Sequence, residues 1–405
     1  MGNPREHRLR VAIRIKPTKS SRPGADACSA PAHIECTSTS VTVTASNTHH
    51  AQQQQTVTLG TPRDPVMSFG PGHSNDKVAS LIDISSIVHD CVLGKRDGLV
   101  CCYGQSCSGK SYTMFGPGGG LVQQGLQTAL TLANGCDGAT GRFHIQVSAS
   151  ELYGNTVRSL IDLRHGKWMH VTKTEDIRTV HEMVATARTV SSTNLNAESS
   201  RSHAFVIVRF APWSEDDELG GGRRTGPTDT ASGTTLVFVD LAGSERVSKT
   251  QATGSRLQEG IEINKSLSAL GNVMRALAGA SLSTTGALPP TIPWRASRLT
   301  QVLKSYVCYG STIWFILCIS GEEDHAHESL STLRFGSAVL GVTLRAHRKE
   351  AKDRRESAVI KKVCVSPVAR FRDAVSARHW VCVYLCWAFV MVVLGSSGCS
   401  KTPRL

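Results

Sequence analysis

Apolar and basic residues alternate along LRVAIRIKP (9–17), the period-two pattern of a half-buried strand, and Pro17 stops it. Between Lys77 and Leu93 the rhythm changes: Val78, Leu81, Ile84, Ile87, Val88 and Val92 recur at helical spacing, with Gly94 as a C-terminal stop. That predicts one helix leading into a strand over LVCCY (99–103). Further β-like runs follow at FHIQVS (143–148), AFVIVRF (204–210), TLVFVD (235–240) and IWFILCIS (313–320), with helix-periodic segments between them. Alternating strands and helices imply an α/β fold with a central, mostly parallel or mixed sheet flanked by helices on both faces. Residues 18–65 break the pattern. They are rich in Ser, Thr, Pro and Gln, include the run Gln52 to Gln55, and predict a loop or weak hairpin around Val41 to Thr44. The stretch 214–233 has the composition of an exposed connection.

Chemistry enters directly after LVCCY. GQSCSGKS (104–111) is a full match to G-x-x-x-x-G-K-[ST], in which successive backbone N–H groups turn onto nucleotide phosphates. Lys110 then meets the β/γ oxygens and Ser111 offers its hydroxyl to Mg2+. Such a loop serves many activities, so two further segments are needed to narrow the reading. In TLVFVDLAGSER (235–246) a strand delivers Asp240 as a second Mg2+-organising group, and Gly243 brings a backbone N–H toward a γ-phosphate. In NAESSRSH (196–203) the adjacent hydroxyls of Ser199 and Ser200 suit the metal and the attacking water.

These residues together resemble the kinesin motor domain over Leu9 to Arg345, as a P-loop NTPase fold. RIKP (14–17) is similar to the family's adenine-stacking motif, GQSCSGKSYTMFG (104–116) to its P-loop, NAESSRSH to switch I and DLAGSER (240–246) to switch II. GSRLQEGIEINKSLSALGNVMRAL (254–277) resembles the relay helix, IPWRASRLTQVL (292–303) the late filament-facing segment, and ESLSTLRFGSAV (328–339) the last core helix. The resemblance implies a microtubule-binding motor that hydrolyses ATP with Mg2+. It implies nucleotide contacts from Arg14, Pro17, Gly104, Gln105, Ser106, Cys107, Ser108, Gly109, Lys110, Ser111 and Tyr112. Metal ligation falls to Ser111, Ser200 and Asp240, and catalysis to Ser199, Ser200, Arg201, Gly243 and Glu245, with Arg201 pairing Glu245 when ATP closes the site. Lys249, Arg256, Arg295 and Arg298 are the implied microtubule contacts.

The relay segment carries an apolar stripe, Leu257, Ile261, Leu267, Leu270, Met274 and Leu277, which is expected to be core. Its functional role rests instead on the polar run Asn264, Lys265 and Ser266, with Asn264 implied to carry the switch movement onward. The sequence departs from the family pattern at Cys107, where a glycine is common, and at Ala296 and Gln301, where an acidic and a basic residue are usual. The first departure bears on rate, the other two on the strength of the filament contact.

The formal charge of +13 changes the picture only at the end of the chain. Residues 345–378 hold 11 Lys/Arg against 4 Asp/Glu, leaving the body mildly basic. Microtubules rather than nucleic acid are the expected partner. Thirteen cysteines without a CxxC pair or a His/Cys cluster exclude a zinc site or disulfide framework and suit a reducing cytoplasm. The N-terminus has no apolar secretory segment. The expected organisation is an extension (1–8), the motor domain (9–345), a basic linker (346–379) and a short apolar segment with its tail (380–405). No heptad repeat follows the motor domain, so coiled-coil dimerisation is not expected. The uncharged stretch Trp380 to Ser400 leaves a tail anchor open, although its strongly apolar part is shorter than the roughly 20 residues that span a bilayer. Alternatives to a motor on the cytoskeleton are a non-motile, nucleotide-regulated microtubule-binding protein and a membrane-tethered adaptor.

Overall fold

The computed structural model describes residues 6–18, 33–46, 54–62, 65–116, 119–135, 143–161, 168–193, 201–212, 233–245, 255–282, 291–308 and 310–345. The expectations for Ser199, Ser200, Lys249, the connection from 214, the basic linker and the 380–400 segment lie outside these residues. Among the described residues no helix is long and apolar enough to cross a membrane.

The chain opens with β1 (Glu6–Arg8) and β2 (Arg10–Lys16), then β3 (Ile34–Cys36), β4 (Val41–Ser46), β5 (Gln54–Leu59) and β6 (Met67–Phe69). Helices α1 (Asn75–Leu81) and α2 (Ile84–Val92) lead into β7 (Gly98–Tyr103), followed by α3 (Lys110–Phe115) and α4 (Leu121–Asn134). Next come β8 (Phe143–Tyr153), β9 (Thr156–Ser159), β10 (Met169–Val171), α5 (Thr174–Thr193), β11 (His203–Pro212) and β12 (Thr234–Asp240). The described body ends with α6 (Ser255–Leu282), α7 (Arg298–Leu303), β13 (Thr312–Ser320), α8 (Ala326–Leu340) and β14 (Thr343–Arg345).

A nine-stranded sheet runs in the order β10-β8-β11-β12-β7-β13-β2-β6, with β9 paired to β8. Its β12, β7, β13, β2 and β6 side is parallel, whereas β11, β8, β9 and β10 are antiparallel, so the sheet is mixed. Strand alternation divides the apolar side chains between two cores. Leu99, Cys101 and Tyr103 face one with residues of α6, α7 and α8, and Val100 and Cys102 face the other with residues of α1, α2, α4 and α5. Burial on both faces explains why these central strands read as near-continuous apolar runs.

Three expectations are corrected. The predicted helix over 77–93 is two helices, because Asp83 takes the left-handed conformation (φ 56°) and its side chain accepts a hydrogen bond from the Ser86 amide as the cap of α2. The periodicity registers Asp83 only as a polar position, so the break is invisible to it. The segment 18–65 contains more than a weak hairpin: β3, β4 and β5 form a three-stranded antiparallel sheet. Its Val41, Val43 and Leu59 join the core beneath α8 while threonines pair on its outer face. On α6, Leu257 and Ile261 are not core but 40% and 53% exposed, whereas Leu267, Leu270 and Met274 farther along this 28-residue helix are buried. Residues 6–8, set apart as an extension, pair antiparallel with β14, and the Ser281 hydroxyl accepts from the Thr343 amide at 2.9 Å, joining α6 to the same strand.

Candidate functional site

The phosphate loop leaves β7 at Gly104, whose φ is 149° and where an added Cβ would collide with the Cys318 carbonyl oxygen. Only glycine passes there. The loop is closed by its own neighbours. The Ser108 hydroxyl donates to the Gln105 carbonyl at 2.8 Å, and the buried Lys110 ammonium donates to the carbonyls of Gly104 (2.8 Å) and Gln105 (2.6 Å). Gly109, also left-handed at φ 99°, starts α3, where the Thr113 hydroxyl donates back to its carbonyl at 2.8 Å. Cys107 is exposed and left-handed at φ 60°, and its carbonyl accepts from Lys16 Nζ at 2.8 Å.

Parallel pairing of β12 with β7 sets Asp240 opposite Cys102, and there the Ser111 hydroxyl donates to Asp240 Oδ2 at 2.6 Å. A hydroxyl and a carboxylate in contact are hard oxygen donors of the kind Mg2+ prefers, so the residues present fit the expected ion. A second observation concerns the phosphates. The Ser106 amide donates to Glu245 Oε2 at 2.7 Å and its hydroxyl to Oε1 at 2.5 Å, so the loop already binds anionic oxygens, here those of a carboxylate. Gly243 is required by this contact, because an added Cβ would collide with both Ser106 Oγ and Glu245 Oε2.

With Glu245 on Ser106, the Arg201–Glu245 pair expected of the closed site is not made. Arg201 instead donates to Glu259 of α6 at 2.9 Å, an ion pair with both partners partly shielded. Beside it, Ser202 donates to the buried Glu151 of β8. His203 is wholly enclosed: its Nδ1 accepts from the Ala242 amide at 3.1 Å and its Nε2 lies 3.0 Å from the Ser266 hydroxyl. Burial, outweighing the attraction of Asp240, pushes its pKa down to about 3, so the ring is neutral at ordinary pH.

Around RIKP the structure gives Arg14 partners other than those expected. Arg14 is 7% exposed, and its guanidinium donates to Asn75 Oδ1 (2.5 Å), Thr113 Oγ1 (3.0 Å) and the His73 carbonyl (3.1 Å). It also stacks 5.1 Å from the Tyr112 ring centroid. Arg14 therefore anchors the walls of the site and backs Tyr112, whose 50% exposure makes it the open aromatic surface, while Pro17 lies exposed at the end of β2. Asn75 had no local signal linking it to this site, Thr113 and Glu259 lay inside quoted motifs that gave them no role, and Ser266 belonged to the polar run on which the relay segment's role rests. His203 lay inside a quoted motif, but nothing in the motif gave it a role.

Three of the four candidate filament residues lie among the described residues. Arg256 lies in the first turn of α6. Arg295 is exposed in a 3-10 turn next to α7, and Arg298 donates to Gln301 Oε1 at 3.2 Å. Gln301 in turn reaches the Arg295 carbonyl at 3.5 Å. The departure at Gln301 thus ties the two arginines to one another.

A kinesin motor domain family model matches residues 14–342. The chain is 34% identical over 300 residues to kinesin-like protein KIN-14K of Arabidopsis thaliana, covering 71% of this chain and 28% of that protein. It is 31% identical over 310 residues to the kinesin heavy chain of Botryotinia fuckeliana, covering 71% of this chain and 33% of that one. It thus spans about a third or less of the length of these curated relatives. Among solved structures, a fast kinesin described for its ATPase mechanism and microtubule interactions is similar at TM-score 0.63 and 27% identity, covering 86% of this chain and 97% of that one. The motor domain of a Kar3-like kinesin from Ashbya gossypii gives TM-score 0.60 at 25% identity, covering 82% and 99%.

Proposed function

The chain belongs to the kinesin motor-domain family, and from that premise we propose that its described body is an ATPase whose turnover is coupled to microtubule binding. The observation that carries this reading is the Ser111–Asp240 contact, a hydroxyl and a carboxylate of the kind that would suit Mg2+ beside a phosphate loop. Mg2+, held by Ser111, Asp240 and Ser200, supplies neutralisation of charge on the transferred phosphoryl group.

The chain's own residues do the rest. The amides of 104–111 cradle the phosphates, and Lys110 exchanges two loop carbonyls for phosphate oxygens. Tyr112, backed by Arg14, and Pro17 border the base. An incoming γ-phosphate competes with Glu245 for the Ser106 amide, and Glu245 once displaced is released to pair with Arg201, which leaves Glu259 to meet it. Gly243 then faces the phosphate while Ser199 and Ser200 hold the attacking water. Closure of this kind accelerates phosphoryl transfer mainly by alignment and exclusion of solvent. Lys249, Arg256, Arg295 and Arg298 meet the acidic filament surface, so attachment weakens as salt screens it.

Steady-state ATP hydrolysis of the full chain, with and without polymerised tubulin and with Lys110→Ala as the blank, tests the proposal. Stimulation abolished by the substitution supports it. Co-sedimentation with filaments and no stimulation reduces the chain to a nucleotide-regulated filament-binding protein.

A further inference from the structure

We infer that His203 is a positioning residue that couples the 241–245 turn to helix α6 through Ser266. The inference rests on the ATPase reading and names the part of the site that carries nucleotide state outward.

The hydrogen bonds allow one arrangement of protons. A backbone amide can only donate, so Nδ1 of His203 accepts from Ala242 and carries no proton. The proton of the neutral ring then sits on Nε2 and points to the Ser266 hydroxyl, 3.0 Å away, and that hydroxyl passes its own proton to the Ile263 carbonyl at 2.7 Å. The chain runs in one direction, from the Ala242 amide through the ring to the backbone of α6. No member can reverse without breaking a neighbour's bond.

The base of the ring is fixed while both its contacts belong to other elements. His203 opens β11, where it pairs with Leu152 of β8, and the next residue, Ala204, pairs with Asp240 of β12. Ser202, on its other side, is held by Glu151. Ala242 precedes Gly243, which packs against the Ser106–Glu245 contact that a phosphate would replace. Ser266 lies 63 residues away, on α6, whose first turns leave Leu257 and Ile261 exposed. A shift of the Ala242 amide therefore either breaks its bond to Nδ1 or turns the ring, and either event changes what Ser266 receives. Both nitrogens of a buried neutral imidazole need a partner, and here the two partners lie on separate elements, so the ring joins the 241–245 turn to α6.

Two substitutions cut the link at the same bond from opposite sides. His203→Asn keeps an oxygen near the Nδ1 position for the Ala242 amide but cannot reach α6. Ser266→Ala removes the acceptor on α6 and preserves helix propensity. The measurement is backbone hydrogen exchange across 257–270 in the full chain with Mg·ADP and with a Mg-bound non-hydrolysable ATP analogue, alongside nucleotide affinity and tubulin-stimulated turnover. The wild type is expected to show a nucleotide-dependent difference in exchange. Each variant should lose most of that difference and about tenfold of the stimulation, with nucleotide affinity retained. The double variant should be no worse than the more severe single one, because the two residues act as a unit. Variants that melt at lower temperature yet keep the full exchange difference overturn the inference, as does a wild type with none. A wild type that shows the exchange difference but no tubulin stimulation overturns the motor reading and leaves this inference standing.

Discussion

The phosphate loop and the switch end of the site sit against each other, yet they satisfy their polar groups over very different distances along the chain. Lys110, Ser108 and Thr113 donate to carbonyls 5 or 6, 3 and 4 residues away. Ala242, Arg201, His203 and Glu245 find theirs 39, 58, 63 and 139 residues away. A loop closed on itself keeps its form whatever stands in front of it. A switch whose bonds end on β11, α6 and the phosphate loop is redrawn when any one of those moves. The difference separates binding, which needs a preformed cradle, from response, which needs bonds that can be exchanged.

The largest expected effect comes from emptying the cradle. Lys110→Ala removes the buried cation over the phosphates and should lower turnover by about 10²–10³-fold, read as steady-state hydrolysis. The Lys110 ammonium also makes two of the bonds that close the loop, so hydrogen-exchange protection of 104–111 should fall even without nucleotide. Protection unchanged throughout would break the comparison, because the loop would then not owe its shape to its own short-range bonds.

Glu245→Ala acts on the exchangeable side and should move affinity and turnover in opposite directions. It removes two charge-assisted hydrogen bonds to Ser106 that compete with phosphate, so nucleotide should bind more tightly, by up to about 2 kcal/mol. Turnover should fall, since Arg201 loses the partner proposed for the closed site. Fluorescent-nucleotide titration and single-turnover hydrolysis read the two separately. Weaker binding would show that Glu245 supports the cradle rather than occupying it.

A smaller effect belongs to His203 and appears as pH dependence of stability. Its folded pKa of about 3 lies below the ordinary value of 6.5. As pH falls below that ordinary value, the unfolded chain takes up a proton that the folded chain refuses. Stability should therefore decline by about 1.4 kcal/mol per pH unit until the pH approaches the folded value. Urea midpoints from about pH 7 to about pH 5 should fall in the wild type and fall less in His203→Asn. Equal slopes would mean that the buried ring is not the group being titrated.

How much of this was legible in the sequence follows the same division. GQSCSGKS is contiguous because the donors that close the loop, Ser108 and Lys110, find their carbonyls within a few residues, so its chemistry can be assigned from the order of residues alone. Asp240 was legible as the last residue of an apolar strand. The partners of Arg201 and His203 were not, because nothing in a linear pattern states that β11 begins beside α6. The same limit hid the small sheet over 34–59, whose threonine-rich strands have one face toward solvent and look like a polar loop. It also misplaced Leu257 and Ile261, since periodicity tells which side of a helix is apolar but not where the core beneath it stops.

The smallest predicted effect lies inside the cradle, at Cys107. Among the described residues, Asp83 and Cys107 are the non-glycine residues at positive φ, and Asp83 recovers part of the cost by capping α2. Cys107 is exposed, so its side chain has little burial to set against holding a Cβ in the left-handed region. Cys107→Gly should relieve that strain and raise stability by about 1 kcal/mol or less, after the added freedom glycine gives the unfolded chain is subtracted. The melting temperature should rise by about 2–4 °C at most. Cys107→Ala keeps the Cβ and should give no such gain, which separates backbone strain from loss of the thiol. If alanine stabilises as much as glycine, the strain does not reside in the backbone at this position. If neither does, the Lys16–Cys107 contact and the glycines on either side have already absorbed it, and the cradle is softer than its short-range bonds suggest.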